Sequence, residues 1–108
     1  MSFYLVRFGY SPDTWAALVQ NPQDRRDLLA ARIFGMGGRL HGFWYCLDEH
    51  DGFAITEFPD DVSAAAAHVA IEASGAFDHL DATPVLTVEE MVEAMERAND
   101  FAYAKPGT

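Results

Sequence analysis

The stretch Ser2–Tyr10 is apolar on both of the faces a β-strand would give it: Tyr4, Val6 and Phe8 point one way, Phe3 and Leu5 the other. A strand with one solvated side alternates apolar and polar residues, so this pattern belongs to a strand covered from two directions. The chain must therefore place its first strand centrally and find cover for both faces of the sheet it joins.

Helix and turn signals come next along the chain. Ser11, Pro12 and Asp13 carry helix-start chemistry, and Trp15, Leu18 and Val19 fall at helical spacing up to Asn21-Pro22. The proline predicts a restarted helix there, with Asn21 as its cap and Asp24 in its first turn. Leu28, Leu29 and Ile33 face inward until Phe34, and Gly35, Gly37 and Gly38 end the helix. Residues 39–47 and 52–58 predict a hairpin whose turn is Asp48, Glu49, His50 and Asp51. After Pro59, Asp60 and Asp61 open a helix with the stripe Val62, Ala65, Ala66 and Val69, which Ser74-Gly75 stops. Residues 79–86 predict the fourth strand, at a sheet edge because Pro84 has no N–H to give a ladder. Thr87-Val88-Glu89-Glu90 is a capping box opening a last helix with the stripe Val88, Met91, Val92 and Met95. Residues 1–100 read as one domain and residues 101–108 as a tail.

The order is βαββαβ with a C-terminal helix, an α+β, ferredoxin-like arrangement. Crossovers of one hand put both inner helices on the same face of a four-stranded antiparallel sheet, in spatial order 4-1-3-2. The other face stays open, and a second copy covers it with least new sequence, because one patch serves both subunits. The expectation is a homodimer or a higher even oligomer.

Composition narrows the function classes. Seven Lys and Arg against 17 Asp and Glu give a charge of −10, which repels nucleic acid and anionic membranes. The one cysteine, Cys46, excludes an internal disulfide and suits a reducing, cytoplasmic compartment. There is no cationic lead with a long apolar run, so neither a signal peptide nor a membrane span is expected. His41, His50, His68 and His79 lack paired metal-ligand spacing, and Gly35-Met36-Gly37-Gly38 joins helix to strand, the reverse of a phosphate loop. No metal and no cofactor are expected.

Gly37-Gly38-Arg39-Leu40-His41-Gly42-Phe43-Trp44-Tyr45, Asp51-Gly52, Pro59-Asp60-Asp61, and Thr83-Pro84-Val85-Leu86-Thr87-Val88-Glu89-Glu90-Met91 together resemble the GYD-domain family. The resemblance implies a dimeric α+β barrel, in which two ferredoxin-like subunits stack their open sheet faces. It implies a fold more than an activity. Where the family carries its namesake Gly and Tyr, this chain has Asp48, Glu49 and His50, and only the final Asp51 matches.

Two groups of residues are candidates for chemistry. On a single strand parity Arg7, His41, Phe43, Tyr45 and Glu57 share the open face with Arg39, Phe53 and Ile55, an aromatic surface with convergent polar groups suited to an apolar or aromatic small molecule. The alternative is an Arg7–Glu57 ion pair inside a closed dimer interface. His50 beside Asp51 places an imidazole among carboxylates, the makings of an acid–base pair, or else simply a solvated turn. The chain accordingly reads as a small-molecule-binding dimer with its pocket between the open sheet face and the cover of that face, and with cofactor-free oxygenase or isomerase chemistry as the enzymatic version. A non-catalytic assembly module is the competing reading.

Overall fold

The computed structural model describes residues 1–107, which form strands β1 (Ser2–Tyr10), β2 (Arg39–Tyr45), β3 (Gly52–Phe58) and β4 (Phe77–Val85) and helices α1 (Pro12–Gln20), α2 (Arg25–Gly35), α3 (Asp61–Ala73) and α4 (Val88–Ala98). The strands make one antiparallel sheet in the order β2-β3-β1-β4, the expected arrangement, and the fold is α+β and ferredoxin-like. Pro84 does lie on an edge strand.

Each helix start has a side-chain oxygen to meet its first free N–H groups. Ser11 Oγ accepts from Thr14 N–H at 3.2 Å, Asp60 Oδ1 from Ser63 N–H at 2.7 Å, and Thr87 and Glu90 form the expected reciprocal box. The cap of α2 is a correction: Asp24, not Asn21, accepts from Arg26 N–H at 2.8 Å. Asn21 is committed to the preceding helix, its N–H donating to the Ala17 carbonyl at 2.9 Å. The strand limits also shift. β2 stops at Tyr45 because Cys46 N–H donates to the Asp51 carbonyl and closes the hairpin, and β4 begins earlier, at Phe77.

α1, α2 and α3 all cover one face. Tyr4, Ile33 and Phe58 form one core cluster, with Leu29 of α2 and Ala64 and Ala67 of α3 packed on it. Phe8, Tyr10 and Leu80 form a second, joined by Leu18 of α1, Phe43 and Ile71. Gly52 is needed between them, since a Cβ there would run into the Phe8 ring and the Trp44 carbonyl.

Two surfaces have no cover among the described residues. On the open face Leu5 pairs across to Ile55 on one side and Thr83 on the other, and no helix among the described residues packs closely on them. α4 contributes no buried residue, and Val88, Met91, Val92 and Met95 remain exposed. The radius of gyration is 17.8 Å, against roughly 13 Å for a compact chain of this length.

Candidate functional site

One irregularity in β2 decides which side chains can meet. Arg39 pairs with Glu57 and Leu40 with Thr56, but Gly42 then pairs with Ile55, so His41 is the extra residue of a β-bulge. Beyond it every side chain changes face. Phe43 and Tyr45 pair with Ala54 and Gly52 on the helix side, and Trp44 turns to the open face, where it stacks on Phe53 with ring centroids 5.0 Å apart. The single open-face surface expected of Arg7, His41, Phe43, Tyr45 and Glu57 is therefore corrected: Arg7, His41 and Glu57 lie on the open face, Phe43 and Tyr45 beneath the helices.

On the open face His41 Nε2 lies 2.8 Å from Glu57 Oε1, and the Glu57 side chain is only 14% exposed. The His41 ring also packs on Phe3. Glu57 is thus the partner of His41 rather than of Arg7, and the Arg7 guanidinium has no hydrogen-bond or ion-pair partner among the described residues. Asp81 is its cross-strand neighbour on β4.

His50 and Asp51 diverge. Asp51 Oδ2 accepts from Tyr10 N–H at 2.7 Å and from Trp15 Nε1–H at 2.8 Å, so this carboxylate ties the hairpin turn to β1 and α1. His50 instead meets His79, with Nδ1 and Nε2 3.2 Å apart.

Beneath the helices is a cavity of about 1610 Å³. α2 lies along β2 and α3 along β4 and β3, so the cavity opens between the helices over the central strands, with Tyr4, Val6, Phe8, Ala54 and Thr56 as its floor. Phe43 lines one end. Tyr45 closes that end from behind, its hydroxyl 3.2 Å from that of Tyr10. Burial pushes the Tyr10 phenol well above its ordinary pKa, so it stays a neutral hydrogen-bonding group.

The lining is mostly apolar, with polar and charged side chains on the helix walls and rim. The Tyr4 hydroxyl donates to Asp61 Oδ1, and that carboxylate raises the Tyr4 pKa, which keeps the phenol protonated. Arg32 and His68 lie on the helix walls. Thr56 is 4% exposed, and its Oγ1 has no hydrogen-bond partner among the described residues. A hydroxyl buried without a partner costs about 1–3 kcal/mol. Sequence reading missed Thr56 because, placed on the helix side, it looked like one more β-branched strand residue. The bulge did leave a sign, an isolated glycine, Gly42, inside a strand pattern.

The GYD domain family profile matches residues 4–95, most of the 108-residue chain, and the chain belongs to that family. A search of the curated proteins gave no match.

Proposed function

We propose that this GYD-domain chain is a small-molecule-binding subunit whose ligand enters the cavity between sheet and helices, while the open sheet face pairs with a second copy. The observation that carries the reading is the cavity itself, a mostly apolar space over the central strands with the Tyr4–Asp61 pair and His68 on its border to meet a polar group on an otherwise apolar or aromatic molecule. The cavity is larger than the roughly 300–1,000 Å³ of an ordinary ligand site, which suits a bulky polycyclic or long-chain compound.

Acid–base work on such a molecule has residues to draw on. The Tyr4–Asp61 pair and His68 border the same space, a donor, a carboxylate and an imidazole, so cofactor-free oxygenase or isomerase chemistry is the enzymatic form of the proposal. Arg7, His41 and Glu57, on the open face, would then border the dimer interface rather than the ligand. The cytoplasmic placement rests on the free thiol of Cys46. No helix among the described residues is long and apolar enough to cross a membrane.

Thr56→Val reads the cost of the enclosed hydroxyl beneath the cavity floor, because it removes the hydroxyl at nearly constant shape. The ligand-free variant is expected to gain about 1–3 kcal/mol in urea unfolding, the cost now carried by the orphan oxygen. A variant no more stable than wild type would mean that the fold already satisfies the hydroxyl. The ligand reading itself is tested by Ala67→Trp, which fills the cavity from α3 and is expected to abolish saturable binding of an apolar fluorescent probe; undiminished binding would put the site elsewhere.

A further inference from the structure

The geometry points to a transition-metal site formed by His50 of the hairpin turn and His79 of β4. These residues, 29 positions apart in the chain, bring His50 Nδ1 and His79 Nε2 to 3.2 Å, with the rings near perpendicular at 70° and their centroids 5.2 Å apart. Two imidazole nitrogens on one tetrahedral zinc, at metal–nitrogen lengths near 2.05 Å, stand about 3.3 Å apart. The pair already has the spacing of two ligands of one ion.

The surroundings are arranged for the pair. Gly9 lies opposite His79 in the sheet, and a Cβ at that position would overlap the His79 ring, so the strand gives up a side chain where the imidazole rests. Asp48 Oδ1 accepts from His50 N–H at 2.9 Å, which fixes the turn. The exposed Glu49 carboxylate is 3.9 Å from His50 Nε2, beyond hydrogen-bond reach, and adds negative potential beside the imidazole. Both imidazoles are half-buried, and the chain carries a charge of −10, which draws cations. Imidazole ligands favour Zn²⁺, Ni²⁺, Cu²⁺ or Fe²⁺ over Mg²⁺ and Ca²⁺. No third protein ligand is clustered with the two among the described residues, so the other coordination positions belong to water or to an exogenous ligand, as in open rather than structural metal sites.

The test is calorimetric titration of untagged, chelator-stripped protein with zinc chloride and, separately, magnesium chloride. One zinc per chain is expected, with no magnesium binding. His50→Gln and His79→Gln each retain a hydrogen-bonding side chain but remove the imidazole. Each is expected to weaken zinc binding by about tenfold or more, since loss even of an outer-shell partner typically costs about 10–100-fold. Glu89→Gln, on the exposed first turn of α4, is expected to leave zinc binding unchanged. Wild-type protein that binds no zinc, or zinc affinity that survives both His50→Gln and His79→Gln, overturns the site and leaves the two rings a hydrogen-bonded pair. Zinc-induced shifts of the His50 and His79 ring resonances in the wild type, with those of His41 and His68 unmoved, support the site without a variant; shifts confined to His41 or His68 contradict it.

Discussion

Phe8→Ala is expected to lower the unfolding free energy by about 3–5 kcal/mol, the range for deleting a buried aromatic ring. Phe8 is 3% exposed, and its ring meets Tyr10, Phe43, Tyr45 and Phe77 at centroid distances between 5.2 and 6.1 Å. It is the common member of those contacts and lies where the bulge delivers Phe43 and Tyr45 to the helix side. Losing it enlarges a region that already borders the cavity, so little can collapse to fill the space. Most domains have only about 5–15 kcal/mol in hand, and a loss of this size shifts the urea midpoint sharply with little change in slope. Phe8→Leu should cost much less. A loss under about 1 kcal/mol for Phe8→Ala would mean that the Phe8 cluster is not the core.

Leu5→Arg is expected to convert the proposed dimer into a folded monomer. Leu5 sits mid-sheet on the open face between Ile55 and Thr83, so a two-fold interface there would receive two guanidinium groups without partners. Desolvating them costs several kcal/mol, which raises the dissociation constant by more than about a hundredfold. The helix-side core is untouched, so the circular dichroism spectrum should persist. Light scattering on both proteins reads the result. A Leu5→Arg dimer as tight as wild type would remove the open face as the interface.

The doubly apolar first strand, the hairpin, the crossovers and the Thr87 cap were legible because each is written locally, in alternation, turn residues or capping residues. The candidate site was less so, for one physical reason. Strand parity propagates from residue to residue, and the extra residue at His41 inverts it for the rest of β2. Reading through the bulge put Phe43 and Tyr45 with Arg7 and hid the aromatic end of the cavity. The meetings of His50 with His79, His41 with Glu57 and Tyr4 with Asp61 join segments distant in sequence, which no spacing rule reports. Asp51 was singled out for acid–base work beside His50, and the structure instead ties its carboxylate to the Tyr10 amide and the Trp15 indole, partners that no local spacing announces.

The central claim is a cavity-bound small molecule in a two-fold assembly, and native mass spectrometry of the protein as purified from cells tests it most directly. The account predicts a complex of twice the chain mass carrying a retained small molecule, which dissociates on gentle activation before the subunits unfold. A ligand-free monomer with the charge-state distribution of a compact protein would contradict both halves of the claim.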